Sequence, residues 1–417
     1  MSDPVSVCIL GLGYVGLPTA AIISNRGIPV TGVDTRQTVV DAIAHGETPI
    51  VEPGLDVLVK SAVASGYLKA ESKPVPADVF ILAVPTPFKD GNVPDLSYLE
   101  SAIASVTPVL KPGNLVILES TSPVGTTEKI AAWIASHRPD LTLPDTSQEP
   151  KVYIAHSPER VLPGRVLIEL VDNDRVIGGL TSACAEKALE FYKLFVQGGC
   201  HMTSARTAEL VKLAENAYRD TNIAFANEMS LVCEELGVDV WEMRDLANLH
   251  PRVDILLPGP GVGGHCIAVD PWFIVDSARD STPLLQAARH VNDSKPQRVA
   301  ETILSEAERR SARAICCLGL SYKADIDDLR ESPSVNIVDM VARRFEGTLF
   351  VVEPYIDALP EDLVGFPNLT LAGLRDGLGR SDIVVLLTDH LEFRNIPTND
   401  LRNKQIIDTR GIWPSKA

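Results

Sequence analysis

A chain of 417 residues is too long for a single hydrophobic core, and its length predicts two or three domains. Hydrophobic residues at 45% and charged residues at 22% are ordinary for a globular protein, and no apolar stretch reaches the ~18 residues of a bilayer-spanning helix. The net charge of −17 argues against a general nucleic-acid or anionic-membrane surface, so an anionic substrate requires a local cluster of Arg and Lys. Seven cysteines, odd in number and without a C-x-x-C pair, and a start with no cationic, apolar leader predict a reducing, cytoplasmic setting. No residues have metal-ligand spacing, and no metal is expected.

The first stretch alternates strand and helix. Val5–Leu10 reads as strand, Gly16–Arg26 as helix and Pro29–Asp34 as a second strand. Val79–Val84, Leu115–Leu118 and Val152–Ala155 are short apolar runs suited to a parallel sheet buried on both faces. This alternation predicts a doubly wound α/β domain over residues 1–202. Pro139–Pro150 reads as a surface loop.

From Thr203 to Gly237 the pattern becomes one long helical period ending at a C-cap glycine. Trp241–Leu249 and Pro283–Ser311 continue it, giving a helical domain over 203–311. A second strand-and-helix series begins at Ala314–Leu320 and continues with Leu349–Pro354, Ile383–Leu387 and Gln405–Asp408, giving a second α/β domain over 312–417.

Gly11-Leu12-Gly13-Tyr14-Val15-Gly16 follows an apolar strand, opens a helix, and precedes Asp34 at the end of the next strand. That context makes it a dinucleotide fingerprint. The first two glycines allow a tight turn and close approach to a pyrophosphate, the third lets helix and strand pack, and the helix N-terminus stabilises phosphate charge. An acidic Asp34 would accept from the adenosine ribose and repel a 2′-phosphate, favouring NAD, with Arg36 nearby as the counter-argument. Thr86 and Thr121 fall just after strands, where ligands of open α/β sheets bind, although each also reads as an ordinary strand-end turn.

Lys212, Asn216 and Arg219 are spaced i, i+4, i+7 on the long helical segment, with Ile223 and Asn227 continuing the row. Such a stripe fits a solvated face or the wall of a polar cleft; apolar residues on the other faces favour the cleft. A lysine there suits acid/base work. The run Pro258–Pro271 surrounds Cys266 with glycines, and Asp270 follows four residues on. Glycines admit close approach and positive φ, which suits a nucleophile; a structural loop is the plainer alternative.

Taken together, these residues, Pro158-Glu159-Arg160, and Leu318-Gly319-Leu320-Ser321-Tyr322-Lys323 with Asp327-Asp328-x-Arg330-x-Ser332-Pro333 resemble the UDP-glucose/GDP-mannose dehydrogenase family over essentially the whole chain. The resemblance implies α/β architecture: two Rossmann-like doubly wound domains joined by a central helical dimerisation domain. It also implies a homodimer, and four-electron oxidation of a nucleotide sugar's primary alcohol to a carboxylate with two NAD in succession. In it Cys266 is the nucleophile, passing through thiohemiacetal and thioester. Lys212 is the acid/base, Asn216 assists, and Asp270 and Glu159 handle water and protons. NAD falls to Gly11, Gly13, Tyr14, Val15, Gly16, Asp34, Arg36, Thr86, Thr121 and Arg330.

His265 and Ala268-Val269 in the cysteine loop, and Arg160-Val161-Leu162-Pro163-Gly164 after Glu159, depart from the UDP-glucose branch and resemble the UDP-N-acetylhexosamine branch. Within it the combination is most similar to members acting on UDP-N-acetyl-D-mannosamine for bacterial surface polysaccharide, with UDP-N-acetylglucosamine the alternative. Arg160, Val161, Lys212, Asn216, Arg219, His250, Arg252, Gly263, Tyr322, Lys323 and Arg410 then become the expected substrate contacts, His250 and Arg252 across the dimer. A two-electron hydroxyacid dehydrogenase and a non-enzymatic NAD-binding regulator are the rival readings, and neither needs Cys266.

Overall fold

Runs such as Val79–Leu82 and Leu115–Leu118 offer no polar position to water, so their stable setting is a sheet covered on both sides. The computed structural model describes residues 5–89, 91–141, 143–144, 151–162, 164–264 and 266–413, which leaves His265 and the end of the expected 139–150 loop outside the described residues. The strands β1 (Val7–Leu10), β2 (Val30–Val33), β3 (Leu68–Glu71) and β4 (Val79–Leu82) come first, followed by a short antiparallel hairpin of β5 (Phe88–Lys89) and β6 (Val93–Pro94). Then come β7 (Leu115–Leu118), β8 (Tyr153–His156), β9 (Arg175–Gly179) and β10 (Cys200–Ser204).

One eight-stranded sheet has the order β10-β9-β8-β7-β4-β1-β2-β3. Its neighbours pair in parallel except β8 with β9, where Ala155 lies antiparallel to Gly179. Alternate residues feed opposite faces: Val7, Ile9, Val79, Ile81, Leu115 and Ile117 enter one core, and Cys8, Leu10, Phe80, Leu82, Val116 and Leu118 the other. The strand order reverses direction between β1 and β4, so the turns after these two strands flank a topological switch point, where doubly wound sheets bind ligands.

The same logic recurs later in the chain. There β11 (Ala314–Leu318), β12 (Thr348–Val352), β13 (Leu369–Leu371), β14 (Ile383–Leu386) and β15 (Gln405–Asp408) form an all-parallel sheet in the order β13-β12-β11-β14-β15. The adjacent thiols of Cys316 and Cys317 go to opposite faces of this sheet, both in core. In the chain, between the segments that form the two sheets, come helices, chiefly Ala205–Leu236, Val240–Ala247 and Pro283–Arg310. The first has 32 residues, about 48 Å of axis, and ends at Gly237 with φ +68°. Dinucleotide-type α/β folds therefore flank a helical centre, as expected.

Contacts divide the chain into two compact units, one running to Ala214 and including Trp272–Ala278, the other Glu215–Pro271 with the remainder from Arg279. The division falls within the long helix rather than at its start. Thr203 and Ser204, expected to open that helix, instead end β10. Among the described residues no helix is long and apolar enough to cross a membrane.

Candidate active site

In the first unit the glycine turn after β1 divides its work among three residues. Gly11 has φ +93°, and a Cβ there would lie 2.5 Å from the Ala83 carbonyl oxygen. A Cβ on Gly16 would lie 1.8 Å from the Gly11 carbonyl oxygen, so this position is fixed by helix packing. A Cβ on Gly13 would meet nothing within 4 Å, which leaves that side of its backbone open to a ligand. The helix Gly16–Asn25 has no side-chain cap at Val15, so no side chain competes with a phosphate at its N-terminus, where Leu17 donates to the Gly13 carbonyl at 3.2 Å. Tyr14 is exposed beside them.

Asp34 directly follows β2 and is 7% exposed; its carboxylate accepts from the Leu12 N–H at 3.2 Å and the Arg36 N–H at 3.0 Å. Burial pushes its carboxyl up, but hydrogen bonds from Arg36 and Leu12 outweigh that and hold it below the usual range. These residues fit a dinucleotide: an open backbone, uncapped N–H groups, and an ionised carboxylate one strand away. Thr86 donates its hydroxyl to the Thr121 carbonyl at 2.6 Å, tying together the loops after β4 and β7.

A second group in this unit is buried and charged. Glu159 accepts from the Arg160 N–H at 2.7 Å and from Arg175 Nη2 at 3.2 Å. The Arg160 guanidinium donates to the Asp174 carbonyl, and Val161 packs against the hydrophobic core. Lys212 is half-buried on the long helix. The roles of Glu119 and Arg175 were missed in sequence; a charge abutting a wholly apolar strand was the available signal.

In the second unit the cysteine loop is moulded rather than merely stripped of side chains. A Cβ on Gly261 would lie 2.8 Å from Pro333 Cβ, one on Gly263 2.5 Å from the Glu331 carbonyl oxygen, and one on Gly264 2.7 Å from the Tyr322 ring. Gly264 also has φ +81°. Tyr322 is thus brought against the loop, as is Arg410, whose Nη1 would be 2.9 Å from a Cβ on Gly259. Arg410 is itself held by the Leu387 carbonyl at 3.1 Å.

Cys266 is exposed, and its carbonyl accepts from the Asp270 N–H at 2.9 Å, closing one turn onto the helix Asp270–Ser277. Asp270 is 2% exposed and accepts from Asn216 Nδ2 at 2.5 Å. That pair joins the long helix to the end of the cysteine loop. The loop's start is fastened by Asn227, which sequence placed on the helix row without a role. Its Oδ1 accepts from the Gly259 N–H at 2.9 Å, and its Nδ2 donates to Asn292 at 2.9 Å. Asn292 in turn donates to Asp220 at 2.8 Å, which also accepts from buried Arg289 at 2.6 Å.

Other expected contacts are not drawn together. Arg219 and Lys323 are exposed, and His250 and Arg252 approach each other at 3.5 Å on an exposed turn. Arg330 is held by Asp328 through two bonds of 2.9 and 2.6 Å.

Comparison with known proteins adds three family-model matches. The NAD binding domain of the UDP-glucose/GDP-mannose dehydrogenase family matches residues 5–196, its central domain 206–294, and its UDP binding domain 316–415. A Ralstonia nicotianae protein named NDP-N-acetyl-D-galactosaminuronic acid dehydrogenase is 54% identical over 99% of this chain and 97% of its own length. The Escherichia coli UDP-N-acetyl-D-mannosamine dehydrogenase is 51% identical over 98% of this chain and 99% of its own length. Among solved structures, the UDP-D-ManNAc dehydrogenase of Pyrococcus horikoshii superposes with TM-score 0.88 at 37% identity, covering 99% of this chain and 96% of that one.

Proposed function

The chain belongs to the UDP-glucose/GDP-mannose dehydrogenase family, and from that premise we propose that it oxidises carbon 6 of UDP-N-acetyl-D-mannosamine to the carboxylate. That it is an NAD-dependent dehydrogenase of nucleotide sugars follows from the family. The sugar is supported by the N-acetylhexosamine character of the residues around Cys266 and by the E. coli relative. The uronate product would supply surface polysaccharide synthesis.

The observation that carries the covalent mechanism is an exposed thiol on a loop fastened at both ends, by Asn227 to Gly259 and by Asn216 to Asp270. Bound NAD supplies the hydride acceptor, once for the alcohol and once for the thiohemiacetal. Lys212 takes the hydroxyl proton as the alcohol becomes aldehyde. The Cys266 thiolate then adds to the aldehyde carbon, and the new oxyanion takes the proton back from Lys212. In the second oxidation Lys212 takes the thiohemiacetal hydroxyl proton, and the sugar becomes an acyl thioester. Water attacks its carbonyl carbon, the C–S bond breaks with sulfur keeping the pair, and Glu159 takes the water proton. Asn216 and Asp270 act by holding the loop's end.

Two further assignments belong to this reading. The domains are 1–202, 203–311 and 312–417. The protein is a homodimer built on the long helix, supported by exposed Tyr218, Phe225 and Val232 at seven-residue spacing, an apolar stripe along that helix.

Supplying UDP-sugars with NAD and counting NADH tests the function. Two NADH per UDP-N-acetyl-D-mannosamine is the expected result; one, or none, would overturn it. The Ralstonia relative favours a second reading, an N-acetylgalactosamine nucleotide as substrate, and faster turnover of that sugar in the same panel would select it.

A further inference from the structure

Inside the first unit one guanidinium faces two carboxylates. Arg175, on β9, has a side chain 6% exposed; it donates to Glu159 at 3.2 Å, and its Nη1 is 3.9 Å from Glu119 Oε1. Glu119 follows β7 and Glu159 follows β8, and the Glu159 N–H reaches the Glu119 carbonyl at 3.4 Å, so the ends of neighbouring strands build the arrangement. Tyr192 closes it. Its ring lies 4.9 Å from the Arg175 guanidinium, and its hydroxyl donates to Glu119 Oε1 at 2.7 Å. The other Glu119 oxygen is buried with no hydrogen-bond partner among the described residues.

Packing does not ask for this second carboxylate. With both ionised, the trio carries a net negative charge out of water, which is costly. Burial pushes Glu119 up to about 7, and Glu159 pushes the same way, against Arg175, Tyr192 and Thr19. Of the other groups beside the cluster, Ser157 next to Tyr192 carries no charge and burial raises the Cys200 thiol next to Arg175; Lys193 and Asp174, which act on that thiol, are the charged neighbours. Glu119 is therefore the member free to change charge near neutrality.

We propose that Arg175 is a positioning residue for Glu159, and that Glu119 sets how much of its charge Glu159 feels. When Glu119 is protonated, Arg175 pairs with Glu159 alone and holds its carboxylate back from water. When Glu119 ionises, it shares the guanidinium and leaves Glu159 freer to take the water proton. The inference rests on Glu159 being the base of thioester hydrolysis, and the test separates the two.

Glu119→Gln keeps the side chain's size and an oxygen for the Tyr192 hydroxyl. Decay of the Cys266 acyl adduct is followed by quench and intact mass after one turnover, from pH 5.5 to 9, in wild type, Glu119→Gln, Arg175→Lys and Glu159→Gln. In Glu119→Gln the step that ionisation of Glu119 adds to the wild-type decay profile near pH 7 is expected to disappear. The variant's plateau rate should fall while melting temperature and NAD affinity hold. Arg175→Lys, which keeps the charge but loses the two-pronged geometry, should lower the plateau more than tenfold. Superimposed profiles for Glu119→Gln and wild type would overturn the inference even if Glu159→Gln is inert. Normal decay in Glu159→Gln would overturn the base assignment itself.

Discussion

At the scale of single residues the proposed chemistry turns on a thiol and on the atoms that shape its loop. Cys266→Ser should bind UDP-sugar yet lose overall oxidation by roughly a thousandfold or more, since an alkoxide is neither as easily formed nor as good a leaving group. Binding by calorimetry and turnover by NADH absorbance check the two halves, and wild-type turnover would remove the thioester. Gly264→Ala puts a methyl against the Tyr322 ring at a left-handed backbone position. It should destabilise by about 1–3 kcal/mol and reduce kcat, read by melting and steady-state kinetics. Lys295, 8% exposed, donates to Ser230 at 2.6 Å, and burial, opposed by Glu234, lowers it from the usual 10.5 to about 8. The folded protein thus bears the cost of a buried ammonium in full below pH 8, and sheds it as pH rises toward 10.5. Lys295→Met should be the more stable protein at pH 7, by at most about 3 kcal/mol less the lost hydrogen bond. That advantage should vanish by pH 10.5 in denaturant melts; an advantage that persists would count against the burial cost.

Elements carry the next set of consequences. The long helix fastens the cysteine loop through Asn227 at its start and Asn216 at its end, which makes it a rail for that loop rather than a spacer. Asn227→Ala leaves the Gly259 N–H and the Asn292 carbonyl without their partner. It should lower stability by about 1–3 kcal/mol and kcat more than KM. The same helix presents Tyr218, Phe225 and Val232 outward. Phe225→Lys should halve the sedimenting mass while circular dichroism stays unchanged; an unaltered mass would place the dimer contact elsewhere.

At the scale of the whole molecule, the parts written in local pattern were readable in sequence. Leu115–Leu118 and Gln405–Asp408 match their expected bounds because apolar runs and turn residues delimit them. β9 escaped notice because Arg175 and two glycines interrupt its apolar character, and β10 because an edge strand with exposed residues needs no apolar signature. The glycine turn and Asp34 were legible because spacing alone defines them. The clamp from Asn227 to Gly259, and the trio of Glu119, Arg175 and Glu159, were not, since only the folded chain brings such distant positions together.

The fit of Gly261, Gly263 and Gly264 against Tyr322, Glu331 and Pro333 also bears on how such a chain can exchange parts with its relatives. The Cys266 loop is cast against residues that lie beyond the next long helix, inside the UDP binding domain. A crossover in that helix would leave both sheets whole yet separate casting from mould. Viable hybrids should be those in which Tyr322 and Pro333 are inherited together with the loop's glycines, whatever domain boundary the splice respects.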